Sequence, residues 1–146
     1  MKSSLLMLLV AFTIVVFGCQ QPRPQPSSSL GGAEPVQLTD ANFHNEVIEN
    51  DAPVLVDMWA PSCQPCIAMK PTVRELATEL QGVAKVGELN VEENEFIRQK
   101  YGIDMYPMLL VFVGGREVER LVGTPTRDTL LAAVLNCRDE QSDSKD

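Results

Sequence analysis

The sequence is poor in basic residues and contains no run of them. It has 12 Lys and Arg residues against 20 Asp and Glu residues, which gives a formal net charge of −8. A phosphate backbone or an anionic membrane surface would not attract such a chain. We therefore exclude nucleic acid as a partner, and we attribute the acidity, much of it in the terminal segment DEQSDSKD, to solubility.

Histidine and cysteine are also scarce, with one His and four Cys in 146 residues. A small exported scaffold held together by disulfides needs more cysteines than this. A structural zinc site normally takes four ligands, and besides Cys63 and Cys66 the chain offers only His44 and Cys137. We predict no metal and no cofactor, and we interpret His44 as a solvated residue on the first helix.

The chain has no apolar run of the roughly 20 residues that a membrane-spanning helix needs. It begins instead with one Lys, a shorter apolar run from Leu5 to Phe17, and small residues up to Cys19. This layout is typical of a secretory signal, so we expect export. The ending VVFGC resembles a bacterial lipoprotein signal, which would make Cys19 the lipid-bearing first residue of the mature protein. Because Phe17 is large for such a signal, an ordinary signal peptide or an uncleaved anchor remains open.

Four segments follow from this layout. We assign residues 1–18 to a signal peptide of lipoprotein type, 19–35 to a flexible linker, 36–137 to one folded domain and 138–146 to a disordered polar tail. The linker is rich in Pro, Ser, Gln and Gly, and its few apolar side chains cannot offset the entropy of ordering. It would tether the domain on the periplasmic side of a bacterial membrane, or it is simply a frayed terminus.

The domain alternates strand-like and helix-like segments, which is typical of an α/β fold. We predict strands over residues 54–59, 83–91, 108–113 and 117–122, the last two joined by a Gly114-Gly115 turn. We predict helices over residues 41–49, 63–80 and 95–101, and a final helix that starts at Thr126. Thr39 or Asp40 would cap the first helix, and Pro71 would kink the second.

The motif Cys63-Gln64-Pro65-Cys66 lies where a buried strand passes into a helix. A thiol attacks a disulfide only as the thiolate, and the unpaired N–H groups and dipole of a helix N-terminus stabilise an anion. Cys63 is therefore the predicted nucleophile. Cys66, one turn further along the same face, would resolve the mixed disulfide.

The segment VLVDMWAPSCQPCIAMKPTVREL resembles the active-site strand and helix of thioredoxins. The resemblance covers residues 36–137, and it includes LNVEEN, KYGI, the glycine hairpin, Trp59, Ala60, Pro65, Pro71, Pro107 and Gly123. It implies a thioredoxin-like α/β fold, in which a central mixed β-sheet is flanked by helices in a single domain.

The resemblance also implies roles for five residues outside the cysteine pair. The peptide bond before Pro107 would be cis and lie beside the cysteines, and Trp59, Gly123 and the backbone of Tyr106 would bind the substrate chain. Asp57 would lie buried beneath the motif and accept the proton of Cys66, which suits a carboxyl whose pKa is raised by burial. The alternatives are a proline that opens an ordinary strand, and an aspartate that is satisfied by hydrogen bonds.

Three residues depart from the thioredoxin pattern. Ser62 stands where these proteins usually have a second Trp, which removes part of an apolar recognition surface. Glu88 stands where they often have a Lys, and two neighbouring carboxyls would raise each other's pKa. Gln64 replaces the usual Gly and adds no positive charge near Cys63, which favours a reducing or intermediate potential.

These features favour a protein-disulfide oxidoreductase that exchanges dithiol and disulfide with exported protein substrates and an unidentified redox partner. We expect a monomer, and we expect Cys137 to be a half-buried thiol, with intermolecular pairing as the alternative. The competing function is a binding or chaperone module without reductase turnover, which would dock a partner or maintain thiols in a metal or haem pathway. The direction of electron flow does not follow from the sequence.

Overall fold

Five strands and four helical segments make up residues 32–143, which are the residues that this computed structural model describes, with side chains described to residue 138. In chain order they are β1 (Val36–Leu38), a short π-helix (His44–Ile48), β2 (Val54–Trp59), α1 (Gln64–Glu79), β3 (Lys85–Asn90), α2 (Glu95–Lys100), β4 (Met108–Val113), β5 (Arg116–Val122) and α3 (Arg127–Asp143). None of the helices within these residues is both long and apolar enough to cross a membrane.

The strands form one mixed sheet in the order β1-β3-β2-β4-β5. β2 lies at the centre, parallel to β3 and antiparallel to β4. Its sequence VLVDMW is almost continuously apolar, as expected of a strand that is covered on both faces, and all of its residues are buried except the half-buried Trp59. The mixed sheet with flanking helices confirms the predicted fold class.

Alternate residues of β2 point into two separate parts of the core, because successive side chains of a strand face opposite sides of the sheet. Val56 and Met58 pack on one side, together with the π-helix and α2. Leu55 packs on the other side, against the apolar stripes of α1 and α3. Asp57 has the parity of Leu55, so a carboxyl enters the face that α1 covers.

Helix α1 begins immediately after Cys63, which is its N-cap residue, and Pro65 lies in its first turn. Proline is tolerated there because the N–H that it lacks has no intrahelical partner. The helix continues through Pro71 to Glu79, and its buried positions follow helical spacing: Cys66, Met69, Val73, Leu76 and Ala77. The prediction that a helix starts at the first cysteine of the motif is confirmed.

The hairpin between β4 and β5 turns at Gly114 and Gly115, whose φ angles are 55° and 74°. Positive φ at both central residues matches the right-handed twist of the two strands, and glycine adopts it without a steric penalty. At Gly115 a Cβ atom would also lie 2.5 Å from the carbonyl oxygen of Ile48. This hairpin was predicted from the glycine pair, and the structure confirms it.

The first helix differs from its prediction in extent and in capping. Only His44–Ile48 forms regular helix, and it is a π-helix. The hydroxyl of Thr39 accepts a hydrogen bond from the Asn42 N–H at 3.3 Å, but the side chain of Asp40 turns away. Its carboxylate accepts the N–H groups of Phe96 and Ile97 at 3.1 and 3.0 Å. Asp40 therefore caps the N-terminus of α2, which is distant in sequence.

The strand predicted over residues 83–91 is shorter in the structure, and a three-residue strand, β1, pairs in parallel with its outer edge. At the C-terminus, Thr126 caps α3 as predicted, since its hydroxyl accepts the Thr129 N–H at 3.3 Å. The backbone of α3 then continues to Asp143, where the sequence predicts a disordered tail after Cys137. No Gly or Pro interrupts this stretch, so a helix that is already nucleated can propagate through it.

Candidate active site

Cys63 and Cys66 are joined by a disulfide at the N-terminal end of α1. Cys63 retains 7% of its exposed surface, whereas Cys66 is completely buried. A disulfide is opened by in-line attack on a sulfur that the incoming thiolate can reach. Cys63 is therefore the more accessible residue of the pair, and Cys66 is the inner partner.

The helix terminus is arranged to stabilise a thiolate at Cys63. The backbone N–H of Cys66 donates to the Cys63 Sγ at 3.1 Å, so the sulfur already occupies the position of a capping oxygen. The first N–H groups of a helix have no intrahelical acceptors, and together with the helix dipole they favour a negative charge. After reduction, this arrangement favours the thiolate form of a cysteine at the N-cap.

The loop before β4 brings Pro107 to the site. The Tyr106–Pro107 peptide bond is cis, as the resemblance implies. The N–H of Gly123 donates to the Pro107 carbonyl at 2.9 Å, which holds the end of β5 beside this loop. Tyr106 and Trp59 are half-buried and pack against the part of the core that includes both cysteines. The structure thus brings together the residues predicted to bind a substrate chain, and their roles stay predictions.

Asp57 is fully buried, and neither of its carboxylate oxygens has a hydrogen-bond partner in the protein. The pKa of Asp57 is raised to about 7, chiefly by burial and secondly by the neighbouring Glu88, while Lys70 lowers it. The interpretation of Asp57 as a polar residue satisfied by hydrogen bonds is wrong. A carboxyl with this pKa can take up and return a proton near neutral pH, which is the property that the predicted proton acceptor needs.

Glu88 is paired with a lysine that the sequence analysis did not single out. Lys70 Nζ donates to Glu88 Oε2 at 3.0 Å, and Gln37 Nε2 donates to the same oxygen at 3.2 Å. Lys70 Nζ also lies 3.5 Å from the centroid of the Trp59 ring, within the range of a cation–π contact. The spacing of Lys70 from Cys66 could have revealed it, because residues four apart share one face of a helix.

Comparison with known proteins agrees with this geometry. The model of the thioredoxin family matches residues 34–136. Thioredoxin 1 of Nostoc sp. strain PCC 7120 is 44% identical over 94 residues, which are 64% of this chain and 88% of the relative. The thioredoxins of Pyropia yezoensis and Synechocystis sp. strain PCC 6803 are 44% and 40% identical over 100 and 98 residues, 68% and 67% of this chain and 92% of each relative.

The chain belongs to the thioredoxin family. Its Cys63–Cys66 disulfide occupies the position of the redox-active pair in the thioredoxin resemblance, at the junction of the central strand and the first long helix. The family assignment covers the domain, and residues 1–31, including Cys19, lie outside the described part of the chain.

The rim of this thioredoxin site is more polar than the family pattern, as Ser62 indicated. The hydroxyl of Ser62 donates to Glu92 Oε1 at 2.6 Å, and both side chains are exposed. The indole Nε1 of Trp59 is buried and has no hydrogen-bond partner in the protein. A short serine–carboxylate contact therefore occupies the place of the usual second Trp.

Two remaining candidates lie on other elements. His44 is exposed, with a side-chain exposure of 66%, and its Nε2 lies 3.4 Å from Glu49 Oε1, in agreement with a solvated histidine. Cys137 is a half-buried thiol on α3 whose Sγ lies 3.7 Å from Glu119 Oε2. Among the residues that the structure describes, no three His, Cys, Asp or Glu side chains are grouped so that they could hold a metal ion.

Proposed function

We propose that this protein is a thiol–disulfide oxidoreductase that acts as a monomer on exported protein substrates. The observation that carries the proposal is the Cys63–Cys66 disulfide itself, in which Cys63 is the more accessible residue and Cys66 is the inner partner. Membership in the thioredoxin family supports the same chemistry. Ile67 and Met105, next to Cys66 and Tyr106 in sequence, are exposed apolar side chains that would suit contact with a protein substrate.

The proposed cycle starts from the reduced pair. The Cys63 thiolate attacks a substrate disulfide, the substrate S–S bond breaks, and one substrate sulfur leaves as a thiolate that takes up a proton from solvent. The Cys66 thiol then gives its proton to the Asp57 carboxylate, and its sulfur attacks Cys63. The mixed disulfide breaks, and the second substrate thiolate leaves and is protonated, ultimately by the proton held on Asp57. Two electrons pass from the cysteine pair to the substrate, and the Cys63–Cys66 bond forms again.

Cysteine substitutions test this cycle. We expect Cys63→Ser to abolish disulfide-reductase activity toward a reducible protein such as insulin, because no other thiolate is placed at the helix terminus. Cys66→Ser should trap the mixed disulfide, which is detected by mass spectrometry. Cys137→Ser is the matched control and should retain wild-type activity. Full activity of Cys63→Ser would refute the proposal.

The reduction potential of the pair separates exchange from a docking role. Redox-active pairs in this type of site have potentials between about −270 and −120 mV, whereas structural disulfides lie below about −300 mV. We expect a reversible value in the first range, measured by equilibration with glutathione or dithiothreitol buffers. A value in the second range would favour a binding module whose cysteines are locked.

We also propose that the protein is exported and held at the periplasmic side of a bacterial membrane through a lipid on Cys19. This proposal is supported by the order of charged, apolar and small residues in the first 19 positions and by the Pro- and Ser-rich segment that follows. The mass of the membrane-bound protein should equal that of the chain from Cys19 plus the attached lipid. An unmodified Cys19 in the mature protein would contradict the lipid anchor, and a chain that keeps residues 1–18 would contradict the cleaved signal.

A further inference from the structure

Three charged side chains with little exposure to solvent are grouped between α1 and the sheet, and we call Asp57, Glu88 and Lys70 the charge trio. Asp57 is fully buried, Glu88 is 5% exposed, and the Lys70 side chain is 17% exposed. Two carboxyls and one ammonium leave an excess negative charge if all three are ionised. Because two neighbouring carboxylates cannot both ionise freely in a desolvated place, one of them holds its proton to a higher pH.

The contacts decide which carboxyl that is. Glu88 Oε2 accepts two hydrogen bonds, from Lys70 Nζ at 3.0 Å and from Gln37 Nε2 at 3.2 Å, whereas its buried Oε1 accepts none from the protein. Asp57 accepts none from the protein. Hydrogen bonds from charged and neutral donors favour the ionised form of a carboxyl, and their absence favours the protonated form. Glu88 is therefore the carboxyl that is paired with a cation, and Asp57 is the carboxyl whose protonation can change.

The backbone places these groups where the exchange needs them. Asp57 and Glu88 are register partners on β2 and β3, so their side chains leave the same face of the sheet from strands about 4.8 Å apart. Lys70 follows Cys66 by one helical turn on α1, so the two share one helix face. Cys66 is completely buried, so this helix carries the inner cysteine one turn before the lysine that reaches Glu88 on β3.

Apolar side chains from β4 and α3 occupy neighbouring positions around Asp57. The register partner of Asp57 on β4 is Leu109, and α3 contributes apolar side chains, including Leu130 and Val134, to the same part of the core. Among the described residues, the charged groups that act on Asp57 are thus Glu88 from β3 and Lys70 from α1.

We propose that Lys70 and Glu88 are positioning residues that assign the exchanged proton to Asp57. Lys70 holds Glu88 as an anion, and anionic Glu88 keeps Asp57 ready to bind the proton that Cys66 releases in the resolving step. The proton moves from the Cys66 sulfur to an Asp57 oxygen, and no electrons pass through Lys70 or Glu88. The inference rests on the proposed function. It adds that the Lys70–Glu88 ion pair, with Lys70 on α1 and Glu88 on β3, controls where the proton goes in the resolving step.

Carboxyl ¹³C NMR of Asp57 in the oxidised protein tests the charge trio directly, with Asp57→Asn used to assign the signal. We expect Lys70→Met to raise the titration midpoint by about one pH unit, because it removes the cation, and Glu88→Gln to lower it by about one unit, because it removes the anion. Lys85→Met is the matched control. Lys85 pairs with Glu46 at 2.8 Å at the other end of β3, so its loss should leave the Asp57 midpoint unchanged.

A charge swap covers the case in which a single variant does not fold. Lys70→Glu combined with Glu88→Lys keeps one ion pair and reverses its direction. Glu88 affects the pKa of Asp57 more than Lys70 does. The swap should therefore lower the Asp57 midpoint, because it places a cation at position 88, beside Asp57.

The rate at which the mixed disulfide resolves should follow the same midpoints in its pH profile. Opposite shifts in Lys70→Met and Glu88→Gln would support the positioning role. If the Asp57 midpoint does not move in these variants, the inference is overturned. If they only lose stability, the Lys70–Glu88 ion pair is purely structural, and the inference is overturned as well. An inactive wild type would refute the proposed function through activity alone, whereas unmoved midpoints in an active wild type would refute only the role of the charge trio.

Discussion

We expect Asp57 to make the stability of the fold decrease as the pH rises. A salt-bridged carboxylate, whose pKa is lowered, has the opposite effect. Its pKa is about 7 in the folded protein, against an ordinary value of 3.8 for an aspartate in an unfolded chain. Between these two values the folded state keeps a proton that the unfolded state has lost. The stability contributed by protonated Asp57 is therefore fully present below about pH 4 and is lost as the pH rises toward 7.

Replacement of Asp57 by Asn removes this dependence, because the amide has nearly the same shape and does not ionise. A pKa difference of about 3 units, at about 1.4 kcal/mol per unit, means that Asp57→Asn is more stable than the wild type by about 4 kcal/mol at pH 8. Near pH 4 the two proteins should be about equally stable. The variant would gain stability and lose the proton acceptor of the proposed cycle.

Urea unfolding of the oxidised proteins from pH 4 to pH 9 measures the difference. With a slope of roughly 2 kcal/mol per M, the urea midpoint of Asp57→Asn should lie about 2 M above that of the wild type at pH 8. Asp51→Asn, at an exposed position, is the control and should follow the wild-type curve. A gap that is the same at pH 5 and pH 8, or a variant that is less stable at pH 8, would refute this account of the buried carboxyl.

Three further substitutions test how the scaffold holds the site. Gly115→Ala should destabilise the protein more than Gly82→Ala. Both glycines have positive φ, but only at Gly115 would a Cβ atom meet the Ile48 carbonyl oxygen, at 2.5 Å. Urea unfolding should show a loss of about 1–2 kcal/mol for Gly82→Ala and a larger loss for Gly115→Ala, and equal losses would contradict this explanation. Asp40→Ala removes the cap of α2, so it should lower the free energy of unfolding by about 1 kcal/mol and speed hydrogen exchange of the Phe96 amide. An unchanged exchange rate at Phe96 would contradict the capping role of Asp40.

The central part of the site could be predicted from the sequence because its signals are local. The apolar run of β2, the helix that starts at Cys63 and the glycine pair of the hairpin each lie within a few consecutive residues, and each has a direct physical cause. The raised pKa of Asp57 was predicted in the same way, from one carboxyl inside a buried strand.

The features that the sequence did not reveal all depend on contacts between distant residues. Strand β1 has three residues and forms because the outer edge of β3 is there to pair with it. Asp40 caps a helix that begins more than fifty positions later, and propensity gives no sign of this. The partner of Glu88 is a further example. The thioredoxin pattern concerns position 88 on β3, whereas the cation that pairs with Glu88 is Lys70, on a helix 18 positions earlier.

Trp59 is the only tryptophan of the chain, and its place gives the protein a built-in optical probe. The ring packs against the part of the core that holds Cys63 and Cys66, with the Lys70 ammonium 3.5 Å from its centroid. All indole fluorescence therefore originates inside the site, and none of it from elsewhere in the molecule. Opening of the disulfide and docking of a substrate each change the surroundings of this single indole. Both steps can therefore be followed by stopped-flow fluorescence in unlabelled protein, and Lys70→Met would show how much the nearby ammonium affects the emission.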